Sequence, residues 1–224
     1  MATAKKEVIE IKPLALTKVP VTLVGDTPLI MHTWSEKAKK EMLDGFRGTK
    51  KGKKKDPKNP VMEFINSMYW LDKKPEVNAN MSDEELTEAF IKAVENGARF
   101  GFPATAFKKA AISAAYRMGW TPDKVSLYGV FWIDGDEDGL VEIKSDAPIM
   151  REDPVKVRMT NDRRYRGEFR NWSTSFTLTY NANGAYSLES ILSMINAGGC
   201  TCGVGEWRVE KSGDHGMFHV QTIG

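Results

Sequence analysis

Cysteines and long apolar runs are scarce in this chain of 224 residues. The two cysteines, Cys200 and Cys202, are too close together to close a stabilising loop, so no disulfide framework is expected. No apolar run reaches the ~18 residues that a membrane span needs, and the first residues lack the apolar segment of a secretory signal. We therefore expect a cytoplasmic globular protein without a membrane partner.

Nucleotide and metal signatures are also missing. The glycine-rich tail has neither the lysine-threonine pair of a Walker loop nor a strand-to-helix glycine turn, so nucleotide hydrolysis and a cofactor are not expected. Cys200 and Cys202, followed by His215 and His219, approach zinc-finger spacing. The run HGMFHV, however, predicts a strand, on which the two histidines would lie ~13 Å apart. No metal ligand and no catalytic residue is assigned.

Positive charge is unevenly distributed along the chain. The net charge is +2, yet the segment from Arg47 to Lys58 carries +6 and the segment from Arg158 to Arg170 carries +3. The remainder is acidic, and two basic segments on an acidic protein favour a polyanionic partner. For the lysine run, a solvated loop without a partner is the alternative.

The second basic segment mixes cations with aromatic rings. Its arginines are interleaved with Tyr165, Phe169 and Trp172. Because cations neutralise phosphates and rings accept stacked bases, this composition favours single-stranded nucleic acid. The competing interpretation places Phe169 and Trp172 in the core beside an edge strand, with the arginines facing water.

The hydrophobic pattern predicts an α+β protein with a mainly antiparallel sheet. Strands are predicted over residues 19–24, 129–133, 140–144, 155–159 and 173–180, and in the run HGMFHV. Helices are predicted from Ser35 to Gly45, over 61–71, from Ser82 to Ala93 with a capping box, in the alanine-rich segment after Pro103, and over 187–199. Residues 48–60 predict a loop, since they combine prolines with no apolar side chain.

Three of these segments together resemble the RAMP superfamily of CRISPR systems. They are the first strand, the Phe-Pro entry into a lysine-bearing alanine helix (FGFPATAFKKAAISAA), and the last helix with its glycine-rich loop (AGGCTCGVGEWRVEKSGDHGMF). In particular, the chain resembles the backbone subunit that coats guide RNA and related proteins of phages and mobile elements. The family's helix entry is typically Pro-Gly-Ser-Ser-Leu-Lys-Gly. This chain keeps Pro103 and Lys108 but has Ala104, Thr105 and Ala106 where the glycine and serines would lie.

The resemblance implies a ferredoxin-like core of the βαββαβ kind, similar to RRM folds, in a single RAMP-like domain over residues 1–224. Insertions are expected at about residues 45–60, the lysine loop, and at about 134–172, a hairpin with the arginine-rich segment. Both are expected to be flexible and to close over a bound strand. The implied function is non-enzymatic: a phage or mobile-element protein that coats single-stranded DNA or RNA as a homo-oligomer, either a ring or a filament, alone or within a larger nucleoprotein complex.

Two further functions are compatible with the resemblance. Some members of the superfamily cleave RNA with a histidine near the first helix, and His32 lies at that position. A histidine can act as general base on a ribose 2′-hydroxyl near neutral pH. The other function is that of an inhibitor or decoy that binds a host defence complex, since one fold can serve several roles.

The residues predicted to bind nucleic acid come from the lysine loop, the alanine-rich helix, the arginine-rich segment and the glycine-rich tail. They are Lys50, Lys51, Lys53, Lys54, Lys55, Lys108, Lys109, Arg158, Arg163, Arg164, Arg166, Arg170, Trp172, Trp207 and Arg208. Because most of these contacts would be to phosphates, affinity is expected to fall steeply with added salt.

Overall fold

The computed structural model describes residues 12–33, 42–48, 59–157 and 160–221. The strands in these ranges are β1 (Leu16–Gly25), β2 (Leu29–Met31), β3 (Tyr69–Trp70), β4 (Phe100–Pro103), β5 (Phe131–Asp134), β6 (Leu140–Lys144), β7 (Ile149–Val157), β8 (Thr160–Phe169), β9 (Ser173–Asn181) and β10 (Phe218–Val220). The helices are α1 (Pro60–Asn66), α2 (Asp83–Glu95), α3 (Ala104–Arg117) and α4 (Leu188–Thr201). Residues 42–46 are also helical. Among the described residues, no helix is long and apolar enough to cross a bilayer.

The strands form two antiparallel sheets. In the larger sheet the order is β10-β1-β9-β6-β4-β3, and β5 also pairs with β9. Its centre is the long pairing of β1 with β9, from Leu16 opposite Asn181 to Val24 opposite Ser173. The α+β class and the mainly antiparallel sheet predicted from the sequence are therefore confirmed.

The larger sheet has one apolar face and one polar face. Leu23, Phe176 and Leu178 are buried in the core. On the opposite face, the hydroxyl oxygens of Thr22 and Ser175 lie 2.9 Å apart at the surface. This alternation follows from the two-residue period of a strand. The core consequently lies on the side of the sheet where α3 and α4 pack.

Helices α3 and α4 pack closely because small residues face each other. Ala110 and Ala111 are buried on α3. A Cβ atom on Gly198 of α4 would lie only 2.6 Å from the backbone nitrogen of Ala111. The predicted alanine-rich helix with one packed face is confirmed. Its contact with α4 holds the glycine-rich loop after α4 beside the first half of α3.

The smaller sheet has the order β2-β8-β7 and contains the arginine-rich segment. Strands β7 and β8 form a hairpin, paired from Ile149 opposite Glu168 to Val157 opposite Thr160. The segment expected as a flexible insertion at 134–172 contains paired strands: β8 pairs with a strand on each side, and Phe169 at its end is fully buried. Of the strand predicted over 155–159, residues 155–157 form the end of a longer strand, β7, and residues 158–159 lie outside the described residues.

Other boundaries differ from the sequence prediction in smaller ways. The helix predicted over 61–71 ends at Asn66, and Tyr69–Trp70 pairs with β4 as β3. The capping box at Ser82 is confirmed. Most of the helix predicted from Ser35, and the lysines at 50–55, lie outside the described residues.

Candidate nucleic-acid interface

A cleft of about 650 Å³ lies where five separate segments of the chain meet. These are the end of β2, β3, the first half of α3 with β4, the loop after α3, and the glycine-rich loop after α4. The cleft is lined by His32, Lys109, Lys124, Tyr128 and Arg208, among others. The structure thus brings Lys109 and Arg208, both predicted to bind nucleic acid, to one site.

The glycine-rich loop is fixed against β2 by a close backbone contact. Gly205 has a φ of +80°, and a Cβ atom there would lie 2.5 Å from the carbonyl oxygen of Ile30. Only glycine combines this conformation with this approach. The amide of Glu206 donates to the same Ile30 carbonyl at 2.9 Å. The loop therefore places Glu206 in the same cleft as His32.

The first turns of α3 form one wall of the cleft. Thr105 and Lys109, one helical turn apart, both line it. Pro103 precedes the helix without a side-chain cap, and the first turn contains no acidic residue. The positive end of the helix dipole is therefore not neutralised locally, which favours anions at this wall.

Three lysines around the cleft have no carboxylate partner among the described residues. Lys108 Nζ donates to the carbonyl oxygen of Tyr128 at 2.7 Å, and burial lowers the pKa of its ammonium group. Lys124 Nζ lies 3.3 Å from Ser113 Oγ. Lys109 is exposed at the cleft wall. Their charges remain available to a bound anion.

Arg208, by contrast, is held by its own loop. Its Nε donates to Glu210 at 3.2 Å, and its Nη1 donates to the carbonyl oxygen of Gly205 at 3.2 Å. Glu210 also accepts from Ser113 and Arg117. Burial raises the pKa of Glu210, but the hydrogen bonds from Ser113 and Arg208 and the nearby cations hold it below its usual value. Arg208 therefore orders the loop, and the carboxylate of Glu210 offsets part of its positive charge.

A buried ion-pair network connects the arginine-rich hairpin to the cleft. Arg166 is 4% exposed, with Nη1 3.1 Å from Asp153 and Nη2 3.2 Å from Glu206. Asp153 also accepts from Arg151 at 2.8 Å. Burying such charges is tolerated only when each has a partner. Arg166 consequently positions Glu206 in the cleft, and its buried guanidinium is not accessible to a phosphate.

The outer arginines of the hairpin are also paired. Arg163 lies 3.0 Å from Glu152, and Arg170 donates to Glu168 at 2.8 Å. Burial raises the pKa of Glu168, but hydrogen bonds from Arg170 and Arg151 hold it below its usual value. These two arginines are exposed, so they can exchange a carboxylate for a phosphate only by giving up an existing pair.

His32 lies at the cleft in the neutral form. Nη1 of Arg164 is 2.9 Å from His32 Nε2, and a guanidinium can only donate, so Nε2 accepts and the ring proton is on Nδ1. Nδ1 is buried and has no partner within the described structure. Burial lowers the pKa of His32, Arg166 and Arg164 lower it further, and Glu206 offsets part of the shift. The nitrogen that would accept a proton is already occupied.

Trp172 belongs to the core. It is 1% exposed, and its indole N–H donates to the carbonyl oxygen of Thr27 at 2.8 Å. The prediction that Trp172 stacks on bases was wrong, because its ring has no exposed face. The competing interpretation is correct in placing Phe169 and Trp172 in the core, but wrong in placing all the arginines in water beside an edge strand, because Arg166 is buried and β8 lies between β2 and β7. Trp207 is exposed but lies outside the cleft lining.

Two further sets of residues were singled out in the sequence: the lysine-loop cations with Arg158, and the cysteines and histidines near the end of the chain. Lys50, Lys51, Lys53, Lys54, Lys55 and Arg158 lie outside the described residues. Cys200 is an exposed thiol and Cys202 a buried one, while His219 pairs with Asp26 at 2.7 Å. Within the described ranges, no group of three or more histidine, cysteine or acidic side chains is placed to hold a metal ion.

Sequence reasoning missed Lys124 and Tyr128. The segment from Trp120 to Trp132 interleaves rings with a lysine in the same way as the arginine-rich segment, and this composition could have drawn attention to it. Its position beside α3 and the glycine-rich loop depends on tertiary contacts that no local pattern reveals.

Comparison with known proteins adds no family to this description. No family model matches the chain, and no curated protein matches it. The chemistry of the cleft must therefore be inferred from its own residues: two lining lysines without carboxylate partners among the described residues, a helix start without acidic residues, and a histidine whose acceptor nitrogen is occupied.

Proposed function

We propose that the protein binds single-stranded nucleic acid without cleaving it, and that phosphates of the bound strand occupy the cleft between α3 and the glycine-rich loop. The observation that carries this proposal is the pair of cleft lysines, Lys109 and Lys124, neither of which has a carboxylate partner among the described residues. Cations of this kind bind phosphates with release of counterions, whereas paired cations must first lose a partner.

The strand order supports a RAMP-like domain with a ferredoxin-like core. Strands β10, β1, β9 and β5 are neighbours in that order. Taken with α3 between β1 and β5 and α4 between β9 and β10, they give the chain order βαββαβ and the spatial order 4-1-3-2. This order is the one expected of the ferredoxin-like core that the resemblance to guide-coating subunits implies. On this proposal the chain coats its strand as a homo-oligomer.

The geometry of His32 supports binding over cleavage. A general base needs a free lone pair within reach of the proton it abstracts. In this structure Nε2 of His32 accepts from Arg164. Its lowered pKa keeps the ring neutral, but the neutral ring is engaged in holding an arginine.

Binding can be tested with labelled single-stranded DNA, single-stranded RNA and duplex. Fluorescence anisotropy gives affinity, light scattering gives the growth in particle size, and gel analysis shows whether the strand is intact. We expect binding to a single strand, an increase in size and an uncut strand. No binding to any of the three would overturn the proposal and favour an inhibitor or decoy that contacts a protein complex. Cleavage that His32→Ala abolishes would favour the nuclease.

The cleft itself is tested by charge reversal. Lys109→Glu places a carboxylate at the cleft wall, and we expect it to weaken binding about tenfold or more, since it removes one phosphate contact and adds repulsion. Lys92→Glu is the matched control, because Lys92 is exposed on α2 and does not line the cleft. Equal losses in both variants would place the strand elsewhere on the protein.

A further inference from the structure

We propose that Tyr128 and Trp132 form an aromatic strip that continues from the cleft and stacks bases of the bound strand. This inference rests on the proposed function and adds the subsite that recognises bases to the subsite that binds phosphates. Both residues are exposed, Tyr128 to 55% and Trp132 to 43%. Neither residue was predicted to bind from the sequence.

The proposed strip begins at the cleft. Tyr128 lines the cleft directly. Trp132 lies on β5 opposite Thr179, so strand alternation places it on the polar, exposed face of the larger sheet. Its neighbours along the strand, Phe131 and Ile133, face the interior. A strand leaving the cleft past Tyr128 would therefore reach the sheet face at Trp132.

Lys108 contacts the main chain of Tyr128 and the ring of Trp132. Lys108 Nζ donates to the carbonyl oxygen of Tyr128 and lies 5.7 Å from the centroid of the Trp132 ring. A second lysine-ring contact involves a cleft residue, since Lys124 Nζ lies 5.4 Å from the centroid of the Tyr116 ring. Exposed rings alternating with ammonium groups match a ligand in which flat bases alternate with phosphates.

Charge distinguishes this ligand from a protein surface. Exposed aromatic patches often mark protein interfaces. Here, however, Lys108 and Lys124 have no carboxylate partner among the described residues, so a covering partner must supply negative charge as well as flat apolar groups. Single-stranded nucleic acid supplies both along its whole length. A second copy of this chain is the alternative occupant that the experiment must separate.

The test compares oligothymidylate with an abasic oligomer of the same length, which keeps the phosphates but lacks the bases. For Trp132→Ala we expect affinity for oligothymidylate to fall roughly 5- to 150-fold, the range of base-aromatic stacking. Affinity for the abasic oligomer should stay unchanged. Trp132→Phe keeps a ring and should retain most of the affinity for oligothymidylate. Tyr128→Ala should reproduce the base-selective loss on the loop side of the strip.

The possible outcomes separate this inference from the proposed function. A wild-type protein that binds neither these oligomers nor single-stranded RNA refutes both. A wild-type protein that binds, with Trp132→Ala and Tyr128→Ala variants whose preference for oligothymidylate is unchanged, refutes the strip alone. Altered sedimentation of Trp132→Ala without nucleic acid, combined with unchanged affinity, would identify the surface as a contact between copies. If alanine weakens the fold, Trp132→Thr replaces it, since threonine suits a strand.

Discussion

The arginine hairpin (β7–β8) and the lysine-lined cleft are both rich in cations, but they differ in whether those cations are paired with carboxylates. In the hairpin, Arg151, Arg166 and Arg170 each form an ion pair shorter than about 3.2 Å with a carboxylate. At the cleft, Lys109 and Lys124 have no such partner in the part of the chain that the structure describes. The number of cations in a segment therefore does not measure the charge it can offer to a ligand.

The physical reason for this difference is burial. Arg166 and Asp153 lie in the interior, where a charge without a partner is strongly unfavourable, so their pairing is a condition of folding. Lys109 is exposed to water, which solvates and screens its charge, so the residue needs no ion pair for the protein to fold. The same residue class thus stabilises the fold in one region and remains available to a ligand in the other.

The largest expected effect concerns the hairpin. Arg166→Ala leaves Asp153 buried without one of its cations and Glu206 without its partner. We expect the free energy of unfolding to fall by about 3–5 kcal/mol, as when one member of a buried pair is removed. Urea unfolding followed by circular dichroism measures it. A change below about 1 kcal/mol, the range of exposed pairs, would show that the network does not support the fold.

The next effect concerns the cleft lysines, whose replacement should change the affinity for nucleic acid but not the free energy of unfolding. We expect Lys109→Ala with Lys124→Ala to reduce the slope of log affinity against log salt by about 1.4, because each phosphate contact on a single strand contributes about 0.7. The free energy of unfolding should change by less than about 0.5 kcal/mol per site. An unaltered salt slope would mean that these lysines do not meet phosphates.

A smaller effect should follow pH through His32, which lies between the two regions. Its pKa in the folded protein is below the unfolded value of 6.5, so the unfolded state binds the proton first as pH falls. The stability from the neutral ring is complete above that value and is lost as pH falls towards the folded pKa. The melting temperature of the wild type should therefore fall more than that of His32→Gln between about pH 7.5 and about pH 5.5. Parallel curves for both proteins would contradict this assignment.

The smallest effect is expected on the outer edge of the hairpin. Arg163→Ala with Arg164→Ala should weaken binding alike for every nucleic-acid sequence, since any contact there is to phosphate. We expect this loss to be smaller than that of the cleft lysines, because Arg163 is already paired with Glu152 and Arg164 with His32. Anisotropy titrations at one moderate salt concentration compare the two pairs directly. A larger loss from the arginine pair would reverse the comparison.

Local patterns predicted much of the fold. The strand at Leu140–Lys144, the capping box at Ser82 and the extended entry to α3 each depend on neighbours in sequence, and each was found. Strand β8 was missed because Arg166 and Glu168 are buried as well as Gly167 and Phe169. Charges on the inward-facing positions conceal the alternation that normally reveals a strand, and they are tolerated only through partners such as Asp153.

The site was predictable only in part, for a related reason. Lys109 and Arg208 were identified because the helix entry and the glycine-rich loop are distinctive in sequence. The role of Arg166 was misassigned, since nothing near it in sequence shows that Glu206 would be its partner. Lys124 and Tyr128 gain their significance from a cleft formed by distant segments.

The contact between α3 and α4 limits how this chain can diverge. A Cβ atom at position 198 would collide with the backbone at 110 and 111, and moving a side chain cannot relieve such a collision. A larger residue there must push the helices apart, and with them the two walls of the cleft. We therefore expect a substitution at position 198 to be accepted only if α3 and α4 shift relative to each other. Sequence change at a position remote from the cleft would then alter the width of the cleft.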